Sequence, residues 1–194
     1  MAWAYDLLDA PMEYLGGRHR RVRLISSAAG SVLEVGIGTG KNLRHYRRDV
    51  KVIGIDASPK MLARARQRMR SLDVDAVLLE ADAHTLPFGD SEFDTAVETS
   101  ILCSVADPET VLAELIRVTR PGGRILLLEH VRPRNPILGL MADAASLLTR
   151  RLFGFYANRR TEDVVMAANA SVVEARRNGV WRAFELAPLP PTAD

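Results

Sequence analysis

The chain has 194 residues, enough for one domain whose buried core needs neither disulfides nor a metal. Its apolar share is 47%, and 26 basic residues against 24 acidic ones leave a formal net charge of +2, too small a surplus to point to a nucleic-acid partner. The single cysteine, Cys103, excludes an internal disulfide and fits a reducing compartment.

Residues 3–29 read as one or two helices broken at Gly16-Gly17 and packed over a site as a helical lid. The start MAWAYDLLDAP has neither the basic nor the apolar stretch of a secretory signal. No apolar run approaches the ~20 residues that span a bilayer, so a cytoplasmic location is expected. Arg18, His19, Arg20, Arg21 and Arg23 form a basic cluster that reads as a solvated helix face. No aromatic residues interleave with it to suggest stacking on bases.

Val32 to Val35 is predicted as the first strand, and it runs into Gly36, Gly38 and Gly40 in the stretch VLEVGIGTG. Glycine has no Cβ, so the backbone can turn tightly and approach a ligand, with the N–H groups of a helix expected over Gly40 to Arg47 pointing at it. A second strand, Val50 to Ile55, ends on Asp56, a carboxylate able to accept from both hydroxyls of a ribose. Ser58 is expected to cap a helix running to about Arg70, with Pro59 in its first turn and Met61, Leu62, Ala65 and Met69 at helical spacing. Val74 to Leu79 and Phe93 to Glu98 read as the third and fourth strands. A helix from Pro108 to Thr119 stops before Pro121-Gly122-Gly123, and Arg124 to Glu129 is the apolar run of a buried fifth strand.

Ile137, Leu140, Met141, Ala144, Leu148, Leu152 and Phe155 recur along one side of residues 136–155, opposite Asp143, Ser146 and Arg150. Such a stripe predicts a helix covering the sheet or forming a lid; contact with a lipid interface is the alternative. Ser171 to Arg177 and Val180 to Leu186 read as two strands joined by Asn178-Gly179, a two-residue hairpin signal. The alternation of strand and helix from Val32 onward argues for an α/β fold, a parallel sheet with helices on both faces.

Spacing separates three cofactor classes that could use such a site. A P-loop needs GxxxxGK[ST], but Val35 stands five positions before Gly40, and Lys41 is followed by Asn42. A dinucleotide fold needs GxGxxG, whereas the third glycine here comes one residue early. Glu34, two residues before the glycines, is awkward beside a pyrophosphate and favourable beside an ammonium or sulfonium, both of which S-adenosylmethionine carries together with a ribose.

With these residues the chain resembles the class I S-adenosylmethionine-dependent methyltransferases. LLEADAHTLPFGDSEFDTAVETSIL (Leu78 to Leu102) is similar to that family's adenine-binding and fourth-strand region, and LIRVTRPGGRILLLEHV (Leu115 to Val131) to its last central strand. The nearest branch contains quinone C-methyltransferases and bacterial phosphatidylethanolamine N-methyltransferases. The resemblance implies a Rossmann-like seven-stranded sheet of order 3-2-1-4-5-7-6 with the last strand antiparallel. It divides one domain into a lid (1–29), a cofactor-binding core (30–131), a substrate cover (132–160) and a helix with the terminal hairpin (161–187).

The resemblance also assigns roles. Glu34 would face the methionyl ammonium, Gly36, Gly38 and Gly40 would give close backbone approach, and Asp56 would hold the ribose with Ala57 or Met61 beside the sugar and adenine. Asp82 would accept from the adenine amino group with the Ala83 N–H beside it, and Thr99 would lie below the methionyl chain. On the acceptor side, His130 is a candidate general base or head-group ligand, or a structural histidine. Tyr5 and Asp6 match a pair that faces the active site in the family, with helix capping the alternative for Asp6. No metal is expected.

The implied acceptor is a small or lipid-like molecule. Glu129-His130-Val131 departs from the phenylalanine and serine that follow this acid in the quinone enzymes, and arginines near the amphipathic stretches favour a phospholipid amine, with quinones and thiols as alternatives. Peripheral membrane contact belongs to the same expectation, and oligomeric state is left open. From other classes, a non-catalytic sensor of the same cofactor and a nicotinamide-dependent oxidoreductase complete the candidates.

Overall fold

The computed structural model describes residues 18–133, 135–178 and 181–190. Helix α1 (Arg18–Ile25) leads into β1 (Ser31–Val35), β2 (Lys51–Asp56), α2 (Pro59–Leu72), β3 (Ala76–Glu80), β4 (Phe93–Thr99), α3 (Pro108–Val118), β5 (Thr119–His130), α4 (Pro136–Phe153), α5 (Thr161–Ala167), β6 (Ala170–Asn178) and β7 (Trp181–Pro188). The strands form one sheet of order β3-β2-β1-β4-β5-β7-β6. The first five are parallel, and β7 runs antiparallel between β5 and β6.

The period of two in each strand builds two apolar layers. Leu33, Val35, Ile55, Ala96, Ile125, Leu127 and Phe184 face α3 and Val165 of α5, where Val111, Leu112, Leu115 and Val118 complete the larger core. Val32, Val52, Val97 and Leu126 face the other way, onto Ile25 of α1 and Ala28. Ser58 accepts from the Met61 N–H and Asp107 from the Thr110 N–H, so α2 and α3 each begin on a side-chain cap followed by proline. The hairpin also follows the expected spacing: Asn178 pairs with Trp181 across a two-residue connection whose residues, Gly179 and Val180, lie outside those described.

Three expectations are corrected. The helix predicted over Gly40 to Arg47 is a single 3-10 turn, Leu43–His45. Asn42 and Tyr46, on either side of it, both reach the Glu34 carboxylate, which holds this stretch to one turn. The fifth strand starts at Thr119, because Thr119 pairs with Phe93 and the next pair is Thr95 with Arg124. The extra residues form a bulge through Gly122, whose φ is +76°.

The third correction concerns α4, whose apolar stripe does not cover the sheet. Ile137 and Leu147 are 72% and 77% exposed, and Leu138, Leu140, Met141 and Leu148 are exposed with them, while Gly139 and Ser146 are buried. The polar side holds the helix in place. Asp143 takes a two-pronged ion pair from Arg132 at 2.9 and 2.7 Å, the Ser146 hydroxyl meets Asn158 Oδ1 at 2.7 Å, and Thr149 donates to the Phe155 carbonyl at 3.1 Å. Directed polar bonds thus fix which side of α4 packs inward, against the apolar periodicity.

This orientation predicts opposite outcomes for two kinds of leucine. Leu127→Ala should cost about 2–5 kcal/mol of unfolding free energy, whereas Leu140→Ser or Leu147→Ser should change it by less than about 0.5 kcal/mol. Urea denaturation of the three variants checks this.

Candidate functional site

All five parallel strands end along one edge of the sheet, where an open α/β fold binds ligands. The turn leaving β1 is pinned there by hydrogen bonds to the neighbouring strand. The Ile37 N–H donates to the Ile55 carbonyl at 2.8 Å, and the Gly38 N–H donates to Asp56 Oδ2 at 2.9 Å. Gly36, Gly38 and Gly40 all have positive φ. At Gly36 a Cβ would lie 2.0 Å from Ile101 Cδ1, and at Gly40 it would lie 2.8 Å from Leu43 Cδ1 and 3.2 Å from the Ala65 backbone. Both close approaches require glycine.

Asp56, half-buried at the end of β2, also accepts from the Ser58 N–H at 2.8 Å. Burial raises its pKa, while the Ser58 and Gly38 amides pull it back. Ala57 is exposed next to it, and Met61 is half-buried on the first turn of α2. Asp82 lies beyond β3, the strand beside β2, with its side chain 67% exposed. It takes the His84 N–H at 2.9 Å and His84 Nδ1 at 2.7 Å, which lower its pKa. Ala83 is half-buried against the larger core. Two carboxylates at adjacent strand ends, one half-buried and one open, match the ribose and the adenine amino group of one nucleoside.

Glu34 is buried within β1 and is satisfied by protein groups. Asn42 Nδ2 donates to Oε1 at 2.7 Å, and the Tyr46 hydroxyl donates to Oε2 at 2.8 Å. Asn42 also donates to Thr99 Oγ1 at 3.2 Å, and Arg21 reaches Asn42 Oδ1 at 2.8 Å and Thr99 Oγ1 at 3.1 Å. Burial pushes the Glu34 pKa from 4.5 up to about 7, against the hydrogen bonds from Tyr46 and Asn42 and the charge of Arg21. The Tyr46 hydroxyl is pushed up as well, by burial first and then by Glu34. Arg21 therefore does not belong to a solvated face; it is buried and joins α1 to the ends of β1 and β4. A glutamate inside an apolar strand was the one signal in the sequence that such partners had to exist.

The profile of a family described as "Methyltransferase domain" matches residues 33–127. The chain is 35% identical over 160 residues to a phosphatidylethanolamine N-methyltransferase of Cereibacter sphaeroides, covering 81% of this chain and 78% of the relative. It belongs to the class I S-adenosylmethionine-dependent methyltransferases. A demethylmenaquinone methyltransferase of Thermus thermophilus is 36% identical over 144 residues, covering 71% of this chain and 66%, just under two thirds, of the relative. Among solved structures, an S-adenosylmethionine-dependent methyltransferase of Methanosarcina mazei superposes with a TM-score of 0.67 at 22% identity over 82% of this chain and 92% of that one.

In this methyltransferase the edge of β1, β2 and β4 gathers Glu34, Gly36, Gly38, Gly40, Asp56, Ala57, Met61 and Thr99, with Asp82 and Ala83 beyond β3. The residues fit S-adenosylmethionine: Gly38 leaves open space beside its backbone, and Asp56, a carboxylate at the end of β2, could accept from the hydroxyls of a ribose. His130 ends β5, half-buried, with its ring edge-on to Phe155 at 5.3 Å and to Trp181 at 6.2 Å. Sequence reading missed this aromatic setting because Trp181 is opposite His130 only through the antiparallel hairpin. Tyr5 and Asp6 lie outside the described residues.

The raised Glu34 pKa has a consequence for stability. The unfolded chain ionises near 4.5 and the folded chain near 7, so the contribution is full below about 4.5 and lost as pH rises through about 7. At about 1.4 kcal/mol per pH unit the loss reaches about 3 kcal/mol. Glu34→Gln should remove this slope, leaving a flatter unfolding free energy across that interval in urea titrations.

Proposed function

We propose that this methyltransferase acts on a small or lipid-like acceptor, with a phospholipid amine of the phosphatidylethanolamine type favoured. The observation that carries the reading is the outward apolar face of α4, which comes after the end of β5. Six large apolar side chains there are more than half exposed, and exposed Arg150 and Arg151 stand at the end of the helix. An apolar helix face with arginines at one end suits an interface of anionic lipid. No described helix is long and apolar enough to cross a membrane. The similarity to a phosphatidylethanolamine N-methyltransferase supports the same acceptor.

A groove of about 710 Å³ adjoins the end of β5, lined by Val131, Arg132, Pro133, Arg160, Glu162 and Met166 among others. It mixes both signs of charge: Arg132 is paired with Asp143, Arg160 with Asp163, and Glu162 with the buried Arg182. Such a lining suits a zwitterionic head group.

Bound S-adenosylmethionine would supply a methyl group made electrophilic by its sulfonium. The chain would hold that donor with Asp56 and Asp82 against the open backbone at Gly38, and would exclude water at the end of β5 with Phe155 and Trp181. Amine attack needs a free lone pair, so His130 would take the proton of the acceptor at a ring nitrogen. A quinone or a thiol is the second reading, favoured by the demethylmenaquinone methyltransferase similarity; a cofactor sensor without turnover is the third.

Transfer of a labelled methyl group to phosphatidylethanolamine vesicles, demethylmenaquinone and small thiols decides among them. The proposal expects phosphatidylethanolamine to be methylated fastest, with Leu140→Glu/Leu147→Glu abolishing sedimentation with anionic vesicles. His130→Ala should lower kcat by about 10²-fold with cofactor affinity unchanged. Faster transfer to a quinone or thiol would replace the acceptor, and binding without turnover on any of them would favour the sensor.

A further inference from the structure

Two further carboxylates lie at the same sheet edge, on the face opposite Glu34. Glu98 in β4 pairs with Leu127, and Glu129 is two residues farther along β5, so both side chains point to the α3 face. Each is fully buried. Glu129 Oε1 accepts the Leu102 N–H at 2.8 Å, and Glu98 Oε1 accepts the Ile101 N–H. The remaining oxygens, Glu98 Oε2 and Glu129 Oε2, are buried and have no hydrogen-bond donor among the described residues, although the two carboxyl groups are within hydrogen-bonding reach of each other. Two buried carboxyl groups this close favour one proton between them, because two adjacent charges in the core would repel each other.

The turn that these oxygens hold is unusual. Ser100 adopts φ +61°, a region costly for a residue with a Cβ, and is kept there by its N–H bond to the Leu128 carbonyl at 2.9 Å. The next residue, Ile101, presses its Cδ1 into the space where Gly36 lacks a Cβ. A continuous line of contacts therefore runs from the two glutamates through the turn to the loop that approaches the cofactor.

We propose that Glu98 and Glu129 share a single proton between their Oε2 atoms and act as a positioning pair, fixing the 100–105 turn so that Ile101 closes the glycine loop for cofactor binding. Glu98 titrates far above the ordinary carboxylate range, through burial and then the adjoining Glu129, and Glu129 is raised by burial. The other groups facing the pair do not replace the proton. Cys103 on the turn is a buried thiol that burial and Glu129 push up; it donates to the Ser100 carbonyl at 3.4 Å and lies within hydrogen-bonding reach of Glu129, but a weak thiol donor does not neutralise a second carboxylate charge. His130 comes directly after Glu129 and points to the other face. Arg182, opposite Glu129 on β7, directs its guanidinium to Glu162 at 3.1 Å. Loss of the shared proton would place two charges side by side in the core and release the turn.

The test is calorimetric titration with S-adenosylhomocysteine from mildly acidic to alkaline pH, run on the parent protein and on Glu98→Gln, both of which keep Glu34, so that its titration is common to the two profiles. The parent should lose affinity by about tenfold per pH unit once the pair ionises. Glu98→Gln, whose amide supplies the missing donor permanently, should lose no more than about twofold across the step at which the parent pair ionises. Infrared spectra of the parent, taken above the pH at which Glu34 ionises, should retain one protonated carboxyl band that disappears in Glu98→Gln and in Glu129→Gln. Identical pH profiles in parent and Glu98→Gln, or no protonated band in the parent, would overturn the proposal. So would failure of both amide variants to fold, because each preserves the bond that the proton makes.

Discussion

The site depends on the burial of a carboxylate in the middle of its central strand. Glu34 cannot be left unpaired among Val32, Val52, Val97 and Leu126, and its two oxygens draw in Asn42 and Tyr46. Those bonds hold the segment after the glycine loop to one 3-10 turn. Through Asn42 and Thr99 the network reaches Arg21, so α1, β1 and β4 are locked together at the carboxyl edge of the parallel strands. The glycine loop is thus braced from behind by Glu34, from the side by Asp56, and from the opposite face by Ile101. Three braces on one loop leave few alternative backbone conformations, which is preorganisation in the sense that matters for binding a flexible cofactor.

Much of this was legible in the sequence, for identifiable reasons. The parallel sheet followed from the alternation of elements, the closing hairpin from Asn178-Gly179 and the strand order from the family resemblance, while the cap at Ser58 marks a helix start by local chemistry alone. Local signals failed wherever a distant partner decided the outcome. The 3-10 turn depends on a carboxylate eight residues before Asn42, and the burial of Arg21 depends on Thr99, 78 residues away. Helix α4 is the clearest case: its periodicity gives the right helix and the wrong inward side, because Arg132, Asn158 and the Phe155 carbonyl bind its polar face. Glu98 and Glu129 escaped notice for the same reason, since only strand register brings them together.

The arrangement separates the task common to methyltransferases from the variable one. On the proposed reading the donor would rest on the open backbone at Gly38 and on the carboxylates at the end of β2 and beyond β3. The acceptor would meet the elements after β5, with an aromatic nest around His130, a groove of mixed charge and a helix with its apolar face outward. Changes in these later elements can alter the acceptor without disturbing the donor site, so one fold can serve many substrates.

The central claim is that the edge of β1 and β2 holds S-adenosylmethionine with Asp56 on its ribose. Calorimetric titration of the protein and an Asp56→Ala variant with S-adenosylmethionine, using NAD as the control ligand, tests it most directly. The account predicts saturable binding to the parent, a loss of at least about tenfold in the variant, as expected for a charged hydrogen-bond acceptor worth ~1.5–3 kcal/mol, and no heat with NAD. Undiminished affinity in the Asp56→Ala variant, or binding of NAD in place of S-adenosylmethionine, would contradict it.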